Sequence, residues 1–426
     1  MNDWGDQAIK AEAGRRSSRL AAITAVLFVL GFSNLFLRSS LGVMAPDLSR
    51  EMALGPTALS TVASAFFFAY ALMQIPTGML LDRFGARMTL AGMLLFTFAG
   101  AATFAGAQSG EMLTVGRILM GIGNAGIFTG AFYVLAQWLP QGQVVQRVGM
   151  LNSFAAIGTL SATTPLAALI ATIGWRDSYW IFTGGVAVLL VAVWLSVRDA
   201  PPGAAPPAAR GERIGDVVRG VGESLRQPGM GRLLLAGLPI SAASTISGVW
   251  GAPYLRDVHQ LSAIESGNVL LAMACCAIAG HTLLGLIARR GNSLKLAMGT
   301  GMTLVTLAIA GLAVIDRPPV LLVTGLLCVI GLFASFPMLV FAHARGLVPP
   351  HLMGRGVSTA NMGVMMAIAA MQLAFGAIVG LFVLPGEVPP EIAYRAGFAA
   401  QAVVSLLALL VYLPIRDVKP QSPSPA

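Results

Sequence analysis

Acidic side chains are missing from the middle of every long apolar stretch in this chain. Only 11% of its 426 residues are charged, whereas a soluble domain carries about 25%. That shortage excludes an ordinary soluble protein. Cysteine is scarce as well: Cys275, Cys276 and Cys328 are the full complement of 3. All lie in apolar segments, with neither a disulfide framework nor a metal spacing. Their expected role is helix packing. Histidine numbers only 4, and no Ser/His/Asp set, metal cluster or nucleotide loop is visible. An enzyme is therefore not expected, and no metal or cofactor is implied. Period-two alternation is absent too, which excludes a membrane β-barrel.

What remains is apolar: 56% of the residues are hydrophobic, and mean hydropathy is +0.78. Apolar runs fall near 20–46, 59–81, 88–109, 111–137, 147–172 and 177–197. They resume near 231–255, 264–288, 294–315, 318–342, 356–384 and 393–414. Each is close to the ~20 residues needed to cross ~30 Å of hydrocarbon. The expected fold class is an all-α polytopic membrane protein with twelve transmembrane helices in two six-helix halves. The polar, basic segment 1–19 and the run after it resemble a signal peptide. The run is long and lacks a convincing cleavage site, so a retained first helix is expected.

A net charge of +9 raises the question of nucleic acid. The basic residues sit in short gaps between apolar runs, so that partner is not expected. With both termini cytoplasmic, 20 Lys and Arg fall on the inner side and five on the outer side (Arg50, Arg176, Arg256, Arg317 and Arg395). Arg38 and Arg117 lie within spans, and the acids divide nine and nine. This is the expected bias of Lys and Arg toward the cytoplasm, to which acids contribute little. The expected setting is a bacterial cytoplasmic (inner) membrane, with lipid around a monomeric chain.

The implied organisation is an N-terminal segment 1–19, a first half 20–197, a linker 198–230, a second half 231–414 and a tail 415–426. The linker opens on a Pro/Ala tether. Within "RIGDVVRGVGESL", Ile214, Val217, Val218, Val221 and Leu225 recur at helical spacing. Either a plain tether or a short amphipathic helix on the membrane surface fits. The halves look like a repeat. At an offset of 207, Pro46, Leu54 and Gly78 fall on Pro253, Leu261 and Gly285. At 208, Arg147 falls on Arg355, and at 209 Asn152 falls on Asn361. Such paired halves place a substrate between them near the midplane.

"GMLLDRFGARM" joins the second and third runs. Its Gly78, Asp82, Arg83, Gly85 and Arg87 resemble the Gly-x-x-x-Asp-Arg-x-Gly-x-Arg loop of the major facilitator superfamily. "GRILMGIGNAG" resembles the family's Arg-x-x-x-Gly-x-Gly element through Arg117, Gly121 and Gly123. The resemblance covers nearly the whole chain, and it is closest to the family's organic-anion carriers. It implies a transporter working by alternating access. The loop residues, with Arg117, Gly121, Arg147 and Arg355, would serve gating or conformational change. From physics alone, Gly85 suits a tight turn, and Gly121 and Gly123 suit close helix contact or bending. "GIGNAG" lies inside an apolar run with no preceding strand, so it is not a dinucleotide fingerprint.

The first apolar run holds the sharpest anomaly. Gly31, Asn34, Arg38, Gly42 and Ala45 share one helical face. Arg38 lies roughly 7.5 Å beyond the midpoint of that run, toward the outside. A guanidinium at that depth needs a counter-charge or a polar cavity. Two answers are open. A boundary acid (Asp47, Glu51 or Glu111) reaches it, or the counter-ion is the cargo, since Arg grips carboxylates with paired bonds. Superfamily carriers of organic anions often have an arginine here. Phosphate-ester exchangers tend to carry a second at the matched position, which is Thr245 in this chain; a monoanion is the better expectation. Other candidate lining residues are Tyr70, Gln74, Asn124, Trp250 and Gln372. The leading expectation is transport of a small organic anion, a monocarboxylate or sugar-acid-like molecule. Protons are one candidate coupling ion, as in a symporter; no clear acid lies within the spans, so symport would run through a boundary acid or a protonatable cargo, and uniport and exchange stay open. Efflux of amphipathic compounds and a transporter-like sensor acting through a protein partner are the alternatives.

Overall fold

The computed structural model describes residues 3–201, 214–384 and 387–420. The Pro/Ala tether within 202–213 and the end of the tail, 421–426, lie outside the described residues. So do the side chains of 3–16, Ile214, Val217 and Val218, which the sequence places in the N-terminal segment and on the amphipathic face.

The described chain is helical. The first part comprises α1 (Asp3–Glu51), α2 (Pro56–Ala105), α3 (Gly110–Asn124), α4 (Ile127–Trp138), α5 (Gln141–Ser161) and α6 (Thr164–Ser196). The linker contributes α7 (Ile214–Leu225), so the amphipathic segment does form a helix. The second part comprises α8 (Met230–Leu235), α9 (Gly237–Thr245), a π-helical turn (Ile246–Trp250) and α10 (Gly251–Asp257). It continues with α11 (Ala263–Arg290), α12 (Leu294–Val314), α13 (Val320–Phe333), α14 (Pro337–Leu347), α15 (Met353–Gly380) and α16 (Glu391–Tyr412). Among the described residues, 10 helical stretches are long and apolar enough to cross a membrane.

Local chemistry explains where helices begin. Pro56 and Pro337 start α2 and α14, where the missing N–H costs nothing. Ser262 and Glu265 form a reciprocal capping box on α11. Ser109 and Ser293 cap α3 and α12. A straight helix of 50 residues, the length of α2, would reach about 75 Å, more than twice the hydrocarbon thickness. The chain breaks it at Gly85, with φ 75° and ψ 173°. Gly174, with φ 80° and ψ 165°, breaks α6 in the same way. Only glycine enters this region without strain.

Packing differs between the two ends of the molecule. The large apolar cluster draws on both parts of the chain, joining Leu41, Leu48, Phe66 and Phe67 to Val249, Leu255, Phe375 and Phe398. A second cluster, with Leu27, Leu81, Leu90, Leu135 and Val144, uses first-part residues alone. Ala288, Leu294 and Ala297 form a separate small cluster in the second part. The two bundles therefore share the large cluster, which fuses them at the end carrying Glu51 and Asp257, while each of the two smaller clusters draws on one bundle alone. Outward-facing side chains are apolar: Leu321 is 85% exposed and Val314 74%. A surface of that kind suits lipid, not water.

Candidate functional site

Arg38 projects from α1 toward α2. Its guanidinium lies 5.1 Å from the centre of the Phe67 ring, and Tyr70, one turn further along α2, feels its charge. Arg38 is half-buried, and among the described residues no acid pairs with it. Of the three acids named as possible partners, two are paired elsewhere and the third is exposed. Asp47 meets Arg256 at 3.4 Å and Arg50 at 3.9 Å. Glu51 meets Arg176 at 2.8 Å and accepts from the Trp175 indole. Glu111 stands exposed in the first turn of α3. Nearby arginines are also paired, Arg395 with Asp316 and Arg317 with Glu391. These charges neutralise one another, and Arg38 is left with an aromatic face. A ring offers about 0.5–2 kcal/mol to a cation, less than a buried guanidinium loses by leaving water.

Arg117 is held differently. It is 1% exposed, donates to the Leu37 carbonyl at 3.0 Å and stacks 4.6 Å from the Phe66 ring centre. It ties α3 to α1, while its Nε is buried without a protein partner. Asn34 and Asn124 bond neighbouring backbone: the Asn34 amide donates to the Asn124 carbonyl at 2.8 Å, and the Asn124 amide donates to Met120 at 2.7 Å, while the Asn124 Oδ1 has no protein partner.

Gln74 lies where the two bundles meet. Its Oε1 accepts from Asn361 of α15 at 2.9 Å. Asn361 entered the sequence reading only as a repeat partner; no periodicity reveals that it reaches across. Gln372 donates to the Ser244 carbonyl at 3.1 Å, while its Oε1 has no protein partner. The Thr245 hydroxyl is also buried without one. Trp250 belongs to the fused end. Its indole donates to Ser60 at 3.2 Å, and its ring packs 5.4 Å from Phe375 and 6.1 Å from Tyr394. The structure thus gathers Arg38, Tyr70 and Gln74 on one side and Gln372 and Thr245 on the other. Asn34, Asn124 and Trp250 are placed in packing.

The fused end depends on small residues. A Cβ on Gly42 would strike the Ser247 carbonyl, and one on Gly376 would strike the Ser60 hydroxyl. Asp47–Arg256 crosses from α1 to α10 at the same end.

At the linker end, the Gly78–Met88 segment, helical except at Gly85, is fastened by a residue outside the motif. The Asp199 carboxylate accepts from the Arg87 N–H at 2.8 Å, and a Cβ on Gly85 would come within 2.6 Å of it. The carboxylate caps the helix that restarts after Gly85, where the dipole favours an anion. Arg87 also lies 4.5 Å from the Trp194 ring centre, and Arg83 stacks on Phe84 at 5.4 Å. Gly78 and Asp82 sit beside these contacts. Gly121 and Gly123 serve close approach: added Cβ atoms would strike the Phe66 carbonyl and the Thr97 hydroxyl. Arg355 lies against Gly220 of α7, where a Cβ would come within 2.7 Å of its Cζ. Arg147 is half-buried at the start of α5. Gly85→Ala is expected to cost about 1–3 kcal/mol from backbone strain alone and to crowd Asp199. A lower melting temperature in detergent is the readout.

Two surface grooves are separate from this arrangement. One of about 540 Å³ lies between α12 and α16, and one of about 330 Å³ lies along α2 beside Ile122. The second is lined mainly by apolar side chains, the first also by Ser293, Lys295, Thr300 and Thr303, and neither includes Arg38.

A lipid-facing helical shell around two bundles, fused at one end and enclosing an arginine without an acid, defines a membrane carrier scaffold. Residues 27–370 match the family described as the Major Facilitator Superfamily. The chain belongs to that superfamily. It is 26% identical to a probable galactarate/D-glucarate transporter of Bacillus subtilis (strain 168), over 68% of this chain and 70% of that one. It is 25% identical to a D-galactonate transporter of Escherichia coli O6:H1, over 96% and 98%. Among solved structures, a bacterial homologue of the human lysosomal transporter Spinster, inward-facing and occupied, superposes with a TM-score of 0.75. That match has 16% identity and covers 92% of this chain and 96% of the other. A D-xylose–proton symporter superposes at 0.71, with 13% identity and 91% and 97% coverage.

Proposed function

We propose that this protein carries a small organic anion, a monocarboxylate or sugar acid, across the bacterial cytoplasmic membrane by alternating access. The observation that carries the reading is Arg38, half-buried and without an acid partner among the described residues. A carboxylate cargo supplies the missing charge through paired N–H···O bonds. Tyr70, Gln74, Gln372 and Thr245 provide hydroxyl and amide groups for the rest of a polyhydroxylated molecule. The names of the sugar-acid relatives point the same way.

Counting the segments on either side of Gly85 and Gly174 separately, and joining α5 to the first part of α6, makes twelve crossings with both ends of the chain in the cytoplasm. Residues 20–197 and 231–414 are then the two moving halves. In this orientation the fused end faces outward. Asp47–Arg256, Ser60–Trp250, Gly42 and Gly376 form an outer seal, and the Gly78–Met88 segment, Asp199, Arg147, Arg355 and α7 lie at the cytoplasmic gate.

The test is uptake into proteoliposomes of labelled D-galactonate, D-glucarate, lactate, a hexose phosphate and D-galactose. Sugar acids are expected to move, with galactonate ahead of glucarate. The neutral sugar should not. Transport of galactose equal to that of galactonate overturns the reading.

A further inference from the structure

We infer that this protein works as an anion exchanger, in which one anion at Arg38 must be replaced by another before the carrier returns. The inference rests on the reading of Arg38 as the anion site. It concerns what happens when that site is empty.

A proton-coupled carrier needs a group that takes up a proton opposite the cargo charge. The side chains that α2 and α3 bring to the Arg38 region are Tyr70, Gln74 and Arg117, with Tyr179 of α6 beside Arg117. Across the interface stand Asn361, Gln372, Ser244 and Thr245. None is a carboxylate or an imidazole. Tyrosine ordinarily ionises near pH 10, so Tyr70 stays neutral at physiological pH. The four histidines lie elsewhere, His351 exposed in the turn before α15. His259 packs on Tyr254 at the fused end, His343 is wedged against Arg416 and Tyr412, and His281 bonds the Ala277 carbonyl on an exposed face. The described acids near the membrane boundaries are tied to end-of-helix contacts or stand exposed. Asp257 accepts from Tyr394 and Asp199 from the Arg87 N–H.

An empty carrier must therefore bring Arg38 through an occluded state with only Phe67 and Tyr70 against it. Burying an unpaired guanidinium is costly, and no local proton release or acid swing relieves it. A bound carboxylate does relieve it. Reorientation is then fast when loaded and slow when empty, in both directions. The result is one-for-one exchange, which moves no net charge when both anions are monovalent.

The experiment uses the purified full chain in proteoliposomes and ¹⁴C-D-galactonate. One set of vesicles contains unlabelled galactonate and another contains only a zwitterionic buffer. Uptake into the preloaded set is expected to be faster by about tenfold or more, the factor that a modest difference in reorientation barrier produces. Neither an acid-outside pH gradient nor an inside-positive potassium potential should drive accumulation in the buffer-only set. Accumulation driven by the pH gradient without internal anion overturns exchange in favour of proton symport. Accumulation driven by the potential overturns it in favour of uniport. In both cases the anion site at Arg38 stands. If galactonate neither binds nor moves in any arm, while the protein remains monodisperse, the site reading fails and the inference falls with it.

Discussion

Arg38→Gln is expected to lower galactonate uptake at sub-saturating concentration by about 10- to 100-fold, the worth of charge-assisted paired hydrogen bonds to a carboxylate. Arg38→Lys keeps the charge but loses the planar fork, so a smaller loss of about tenfold is expected. The reason lies in what surrounds the residue. The outer acids Asp47 and Glu51 are held by Arg256 and Arg176, so removing Arg38 leaves no acid stranded. Folding should survive, and the deficit should appear in affinity for the anion. Had Arg38 paired with a buried acid, Arg38→Gln would strand that acid and cost about 3–5 kcal/mol of stability. Normal expression and melting temperature together with unchanged uptake would remove Arg38 from the pathway.

The second large effect concerns the outer seal. Gly376→Leu places a side chain where a Cβ alone would strike the Ser60 hydroxyl and approach the Pro56 carbonyl to 2.7 Å. Neither α2 nor α15 has a flexible side chain there to give way. The seal between α2 and α15 is expected to stay parted, cutting uptake by about tenfold or more, a modest barrier change. In a background lacking Cys275, Cys276 and Cys328, a cysteine at Thr57 should then be labelled from outside faster than in the parent. Gly376→Ala should fall between the two. Parental rates for both transport and labelling in Gly376→Leu would show that closure at this end is not required.

Much of this was legible in the sequence because a bilayer restricts it so strongly. Apolar length locates the helices. Gly85 was identifiable as a turn because a chain that must reverse at the membrane edge needs a residue free to adopt positive φ. The anomaly of Arg38 was equally visible, since a charge inside an apolar run stands out whatever the fold. Its lack of an acid partner was not. Asp47, Glu51 and Glu111 were all within plausible reach, and only tertiary packing shows two of them claimed and the third exposed.

Polar residues inside spans were read less well. Asn34, Asn124 and Trp250 share the composition of a lined cavity, yet the structure spends them on helix–helix bonds and on the seal. A buried amide looks the same in sequence whether it meets a ligand or a neighbouring carbonyl. Asp199 and Asn361 illustrate the converse. Each acts across a long sequence separation, Asp199 on the Arg87 N–H and Asn361 on Gln74, and no local pattern announces either.

Equilibrium binding tests the central claim most directly. Purified parent protein and Arg38→Gln would be titrated with D-galactonate and with D-galactose, a sugar of matching hydroxyl pattern without the carboxylate. Saturable binding of galactonate to the parent, loss of that binding in Arg38→Gln and no binding of galactose to either is the expected result. Equal affinity for the acid and the neutral sugar, or galactonate affinity unchanged by Arg38→Gln, would contradict an anion site at Arg38.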